Sequence, residues 1–176
     1  MNASRLVFID ESFCKTGMRR THAWAVRGER APGSKPFRSW KTVSIIGAIR
    51  LGRRPLIMTN EGAVNGRIFL GFVKRRLAPW LKPGDIVVLD NLNFHKMGAV
   101  RRAIEAAGAF PIYLPTYSPE LNPIEPLWAD LKRDLRRMGL DTVEMLRWAL
   151  RRLRAALPLH RIDGWFRGAL AEAQIK

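Results

Sequence analysis

The sequence predicts an α/β fold, a mixed sheet with helices packed on it. Three observations carry this. Short apolar runs rich in Ile, Val and Leu come first, and strand-like and helix-like segments alternate after about residue 60. Two of those runs end in an aspartate: Leu6-Val7-Phe8-Ile9 before Asp10, and Ile86-Val87-Val88-Leu89 before Asp90. The path from the Asp90 strand through a helical segment to Phe110 has the form of a parallel crossover.

The elements follow in order. Leu6 to Ile9 reads as a buried strand that ends at Asp10-Glu11. After a Gly/Arg-rich turn at Gly17 to Arg20, His22 to Val26 is its expected hairpin partner. Residues 27–41, with Gly28, Pro32, Gly33 and Pro36, read as a loop. A strand follows at Thr42 to Ile49, a turn at Gly52 to Arg54, and a fourth strand at Pro55 to Thr59. Ile68, Phe69, Phe72, Val73 and Leu77 have helical spacing, which predicts a helix over Asn65 to Trp80 with Asn65 as its cap. Pro83-Gly84 ends that segment. Ile86 to Leu89 is a buried strand, Lys96 to Ala107 a helix stopped by Gly108, and Phe110 to Leu114 a short strand. A Pro-rich connection, 115–123, leads to helices at Ile124 to Met138 and Thr142 to Leu157, the latter capped by Asp141 or Thr142. A last helical segment is expected from Arg161 to Ile175.

Composition bounds the function. The 176 residues suit one domain, and 47% hydrophobic residues suffice for a core. No apolar run approaches the roughly 20 residues that span a bilayer. The N-terminus lacks the layout of a signal peptide, so a cytoplasmic protein with no membrane partner is expected. Cys14, the sole cysteine, excludes an intrachain disulfide and a cysteine-rich zinc site. It reads as a bystander. Lys and Arg total 31 against 15 Asp and Glu, a net charge of +16. Such a surplus favours polyanions, nucleic acid first among them.

The aspartates suggest the chemistry. Ligands of open α/β sheets gather at the carboxyl ends of strands, where Asp10 and Asp90 are both expected. If those strands are neighbours, the two carboxylates converge and repel, and a divalent cation relieves the conflict. Hard oxygen ligands select Mg²⁺ or Mn²⁺ over zinc. Glu125 is the third acid. It lies in the first turn of its helix, where the dipole favours an anion, at the edge of the buried stripe of Ile124, Leu127, Trp128, Leu131 and Leu135. Glu11 and Glu120 are competing carboxylates. Glu11 points away from Asp10 if the strand continues, and Glu120 sits in the Pro-rich connection.

Asp90-Asn91-Leu92-Asn93-Phe94-His95, followed by Leu114-Pro115-Thr116-Tyr117-Ser118-Pro119-Glu120-Leu121-Asn122-Pro123-Ile124-Glu125-Pro126-Leu127-Trp128, resembles the signature of IS630-family transposases, of the IS630/Tc1/mariner group of DDE enzymes. The 34 residues between Asp90 and Glu125 match the family's spacing, and Phe8-Ile9-Asp10-Glu11-Ser12 is similar to its first-acid motif. The resemblance covers nearly the whole chain. It implies an RNase H-like fold over residues 1–160 with a helical tail at 161–176. It also implies two divalent ions held by Asp10, Asp90 and Glu125 as catalytic ligands, and cleavage and strand transfer of transposon ends into target double-stranded DNA. A homodimer and a bacterial, nucleoid-associated location go with it. The family's N-terminal helix-turn-helix domains have no room before Asp10. A separate or frameshift-fused helix-turn-helix subunit is therefore the expected partner.

Asn91 and His95 are supporting candidates, His95 either contacting the scissile phosphate or orienting Asp90. Arg147, Arg151 and Arg154 form a basic stripe on one helix. With Lys132, Arg133, Arg136 and Arg137 they make the candidate DNA-backbone surface, since residues 132–154 hold eight Lys or Arg against three acids. Trp24, Trp40, Trp148 and Trp165 are candidates for base stacking, while Trp80 and Trp128 fit the core. Two rival readings remain: an RNase H-like nuclease of the junction-resolvase type, which would lack the Pro119 to Trp128 motif, and a non-catalytic DNA-binding regulatory fragment.

Overall fold

The computed structural model describes residues 2–20, 22–33, 40–116 and 118–175, except the side chains of 174 and 175. Tyr117 and part of the expected loop at 27–41, including Pro36, lie outside the described residues.

Five strands form one sheet: β1 (Leu6–Lys15), β2 (Thr42–Ile49), β3 (Leu56–Glu61), β4 (Ile86–Leu89) and β5 (Phe110–Tyr113), in the order β3-β2-β1-β4-β5. β1, β2 and β3 pair antiparallel, while β1–β4 and β4–β5 pair parallel. The expected mixed sheet and its parallel crossover are therefore present, and the Asp10 and Asp90 strands are neighbours.

Two expectations about β1 are corrected. It does not end at Asp10 but runs on to Lys15, so Asp10 lies mid-strand. Its hairpin partner is not His22 to Val26 but β2, through eight pairs from Phe8↔Ile49 to Lys15↔Thr42. Burial decides this. Seven of the eight β2 residues are buried, whereas Trp24 and Val26 stand 100% and 70% exposed. With a full ladder on β2, β1 tolerates polar residues because Phe8, Asp10, Ser12 and Cys14 keep its two-residue alternation.

Among the described residues, five α-helices cover the sheet: α1 (Gly66–Phe72), α2 (Gly98–Glu105), α3 (Glu125–Met138), α4 (Val143–Ala156) and α5 (Leu159–Ile175). Asn65 caps α1, its side chain accepting from Ile68 N at 3.0 Å. The expected single helix to Trp80 is broken. A π-helical turn, Val73–Leu77, follows α1, and a 3-10 turn, Ala78–Trp80, follows that. Pro79 explains the break, because it has no N–H to offer and its ring would clash with the carbonyl one helical turn earlier. Thr142 caps α4, accepting from Met145 N at 3.2 Å. Gly139 ends α3 in the left-handed region at φ 62°, closing on Leu135 O.

Both faces of the sheet are packed, which explains why its strands read as continuous apolar runs. Val7, Ile9, Ile46, Val87 and Leu89 meet Phe69, Phe72, Leu77, Val100 and Ile104 of the α1–α2 side. Phe8, Val43, Ile45 and Val88 meet Leu127, Trp128 and Leu131 of α3, Leu146 and Leu150 of α4, and Ile162 and Phe166 of α5. Phe166 stands edge-on to Phe8, with ring centroids 5.4 Å apart. Cys14 is buried in this second layer, and burial pushes its thiol up to about 11, which keeps it unreactive.

Candidate active site

Strand parity builds the site. Even-numbered residues of β1 and β4 face α3–α5, as Leu6, Phe8, Ile86 and Val88 show. Asp10 and Asp90 share that parity. The β1–β4 register pairs Leu6 with Ile86 and Phe8 with Val88. Carried two residues further, it aligns Asp10 with Asp90, side by side on the face that α3 covers. Glu125 begins α3. All three acids line one cleft of about 460 Å³, together with Asn91, Leu92, Thr116, Ser118 and Asn122.

Each acid has a different environment. Asp10 is buried, accepting from Glu11 N at 2.8 Å and from the Trp128 indole N–H at 3.0 Å. Burial pushes its carboxyl up to about 7, and the charge of Glu125 adds to that, against the hydrogen bonds from Trp128 and Glu11 N. Asp90 is half-buried, and its Oδ1 accepts from Leu92 N at 3.2 Å and makes an ion-pair contact with His95 Nδ1. Burial would raise Asp90, but the bond and charge of His95 outweigh it and hold the carboxyl below its ordinary value. Glu125 is exposed at the cleft.

His95 does not reach the cleft. It is 0% exposed, with Nε2 3.0 Å from Glu11 Oε1, and its ring packs on Phe69 and Phe94. Of its two expected roles, the burial excludes contact with a phosphate and favours holding Asp90. Burial would lower its pKa, but its bonds to Asp90 and Glu11 raise it to about 9, so the ring is an imidazolium. Asn91 donates to Leu114 O at 2.9 Å, tying the chain after β4 to the end of β5. Glu11 faces away from Asp10, as strand continuation required. Glu120 lies on the 3-10 turn Pro119–Leu121 and is exposed.

The sequence did not reveal the function of Trp128, placed there only in the core. A Cβ on Gly47 would stand 2.4 Å from Trp128 Cη2. Gly47 is the register partner of Asp10. The missing side chain on β2 is thus what lets the indole lie across the sheet and donate to Asp10. A glycine inside an apolar strand, Ile45-Ile46-Gly47-Ala48, was the available signal, since such a glycine often marks a close approach.

The expected basic surface divides. Arg147, Arg151 and Arg154 line a groove along Leu56 to Thr59 of β3, joined by Arg76 from the π-helical turn. Arg147 pairs with Glu61 at 3.2 Å, and Arg154 donates to Pro55 O at 2.5 Å. Arg136 instead lines a second groove with Lys15, Arg19 and Arg20, and Lys132 lies over the Phe13 ring. Arg133 is paired to Asp130 and Asp134, and Arg137 approaches Asp134 at 3.8 Å.

The donor set suits a hard divalent cation: carboxylate oxygens in one cleft, with no Lys or Arg paired to Asp10 among the described residues. No three His, Cys, Asp or Glu side chains among the described residues are grouped closely enough to form a ready-made cage. Trp128 and His95 engage Asp10 and Asp90 in its place.

Two acids side by side, one on β1 and one just past the end of β4 in a mixed 3-2-1-4-5 sheet, with a third on the covering helix, define an RNase H-like domain with a carboxylate cleft. The model of the DDE superfamily endonuclease family matches residues 5–147, and the chain belongs to that family. No curated protein matches. Among solved structures, the Mos1 strand transfer complex superposes with a TM-score of 0.73 at 21% identity, over 95% of this chain and 51% of that one. The Mos1 mariner paired end complex with Mn gives 0.69 at 21%, over 95% and 52%. The Mos1 transposase catalytic domain with Raltegravir and Mn gives 0.61 at 18%, over 96% and 77%. The likeness is one of fold, and the chain spans about half the length of the Mos1 chains in the first two structures.

Proposed function

We propose that this chain is the catalytic domain of a DNA transposase of the IS630/Tc1/mariner group, cleaving phosphodiesters at transposon ends and joining them to target DNA. The observation that carries the reading is the shared row of Asp10 and Asp90 beneath Glu125 in one cleft. Family membership and the fold shared with Mos1 support it.

Asp10, Asp90 and Glu125 would hold two Mg²⁺ or Mn²⁺ ions. Bound there, such ions lower the pKa of a nucleophilic water or 3′-hydroxyl and offset charge on the leaving oxygen. Asp10, kept partly protonated by burial, must lose its proton to bind a cation, so metal affinity rises with pH up to about 7. Trp128 keeps one Asp10 oxygen oriented, and His95 does the same for Asp90. Asn91 fixes the floor of the cleft through Leu114 O.

Double-stranded DNA is the partner this reading requires, and the net charge of +16 favours it. Arg147, Arg151 and Arg154, with Arg76, would follow one stretch of backbone, and Lys132 and Arg136 another. Arg133 and Arg137, already facing Asp130 and Asp134, would contribute less. End recognition would call for a helix-turn-helix unit, and two copies would act in synapsis. No helix among the described residues is long and apolar enough to cross a membrane. The bacterial cytoplasm, on the nucleoid, is the location that fits a DNA substrate.

Mn²⁺-dependent nicking of plasmid DNA tests the reading. Asp10→Asn, Asp90→Asn and Glu125→Gln should each lower nicking by about 10²–10³-fold, on the scale of lost electrostatic catalysis, while DNA retention on a filter stays near wild type. Full nicking by Asp90→Asn would defeat it. A strand-transfer assay with pre-cut ends separates a transposase from a resolvase-type nuclease.

A further inference from the structure

We propose that Glu11 is a positioning residue for Asp90, acting through His95. The inference rests on the reading of Asp90 as a metal ligand.

Asp10 and Glu11 are adjacent on β1 and face opposite sides of the sheet. Asp10 enters the cleft directly. Glu11 enters the layer beneath α1, where its Oε1 lies 3.0 Å from His95 Nε2. On its other side, the same imidazole meets Asp90 Oδ1 through Nδ1. A single ring thus connects a carboxylate on one face of the sheet with a carboxylate in the cleft on the other. It can do so because Asp90 lies just past the end of β4, where the following turn carries His95 back under the sheet.

The ring has little freedom. It is 0% exposed, with the Phe69 centroid 4.3 Å away and Phe94 edge-on at 4.6 Å. The Tyr113 hydroxyl donates to the His95 carbonyl at 3.3 Å, anchoring its backbone to β5. Packing alone fixes the plane of an imidazole but not which nitrogen faces which way, since a half-turn exchanges nitrogen for carbon. Glu11 breaks that ambiguity. By accepting from Nε2 it commits Nδ1 to Asp90, and with it the rotamer of the Asp90 carboxylate.

A purely structural ion pair would be an expensive way to fill this pocket. Burying charge among Phe69 and Phe94 costs desolvation, and apolar residues of similar volume commonly serve stability as well or better. The placement is instead that of an outer-sphere partner, which orients a ligand and typically affects metal affinity about 10–100-fold. β1 would then serve two acids with two successive residues, Asp10 as a ligand and Glu11 as the support of its neighbour.

The test is calorimetric Mn²⁺ titration of wild type, Glu11→Met and Glu11→Gln, with melting curves, and ¹⁵N NMR of the His95 ring in wild type during Mg²⁺ titration. Glu11→Met fills the volume without an acceptor, and Glu11→Gln restores the acceptor without the charge. The expected result is about 10–100-fold weaker Mn²⁺ binding for Glu11→Met at unchanged or higher Tm, recovery of most of it by Glu11→Gln, and a shift of the His95 ring nitrogens as Mg²⁺ saturates. Wild-type Mn²⁺ affinity in Glu11→Met overturns the proposal. So do His95 resonances that saturating Mg²⁺ leaves unmoved, a measurement that needs no variant to fold. Wild-type protein that binds no Mn²⁺ at all would instead remove the metal-site reading itself, and this proposal with it.

Discussion

β4 has a buried or half-buried aspartate at each end, and the two are neutralised in different ways. Asp85, just before the strand, is 2% exposed and meets Arg50 of the β2 end in a two-pronged pair at 2.5 and 2.9 Å, with Lys82 N as a third donor at 2.7 Å. Asp90, just after the strand, and Asp10 beside it have no arginine. Their partners are a histidine and an indole N–H. One end of the sheet carries a permanent internal cation and is closed. The other has no Lys or Arg on Asp10 among the described residues, and its one internal cation, the His95 imidazolium, is shared between Asp90 and Glu11. The open cleft beside it also holds Glu125, an excess of carboxylates that favours taking up a cation from solution. A basic protein with 31 Lys and Arg has none of them paired to Asp10 among the described residues. In this chain, what is withheld from the site matters as much as what is placed there.

The comparison can be broken most forcefully at the closed end. Arg50→Met leaves Asp85 charged and buried without its partner, which should cost about 3–5 kcal/mol in urea unfolding at pH 7. A loss below about 1 kcal/mol would mean water reaches Asp85 and the two ends do not differ as argued. At the open end, the prediction is a pH dependence. The carboxyl of Asp10 titrates near 7 folded and near 3.8 unfolded, so the folded state holds the proton more tightly. Its contribution is then complete below about pH 4 and lost as pH rises through 7, amounting to about 4 kcal/mol without metal. Asp10→Asn should flatten that window relative to wild type, and Mn²⁺ should restore wild-type stability above pH 7. Parallel curves for the two proteins from pH 4 to 8 would refute the burial argument.

The smallest effect sharpens the indole's part. Gly47→Ala forces a Cβ against Trp128, which should cost about 1–3 kcal/mol as overpacking and move the N–H off Asp10. The signature is an upward shift in the pH at which Mn²⁺ binds, because the Trp128 bond is what restrains the Asp10 pKa. Trp128→Phe, which removes the N–H donor along with part of the buried indole, should give the same shift. An unchanged pH of binding in both would assign the indole to packing alone.

Much of this was readable in advance because it depends on local pattern. The bounds of β2 and β4 followed from apolar runs, α4 from helical spacing with its cap narrowed to Asp141 or Thr142, and the Asn65 cap of α1 from its side-chain chemistry. The three acids were singled out by their settings and by the motif around Glu125. What misled was also local. His22 to Val26 follows a Gly/Arg-rich turn like a hairpin partner, yet β1 pairs with a segment beginning at Thr42, where a long apolar strand is available to bury. A basic stripe on a helical wheel looked like one surface, but intervening acids and the β3 edge divide it.

The sequence by itself determined most of the strands and helices and singled out three acids by type and spacing, because periodicity and side-chain chemistry act over a few residues. Only the tertiary structure decided that Asp10 and Asp90 share a row, that Gly47 admits Trp128 to Asp10, and that Glu11 stands behind His95. Those depend on strand order and register, which are set by burial summed over the whole sheet, and no short stretch of chain encodes that sum.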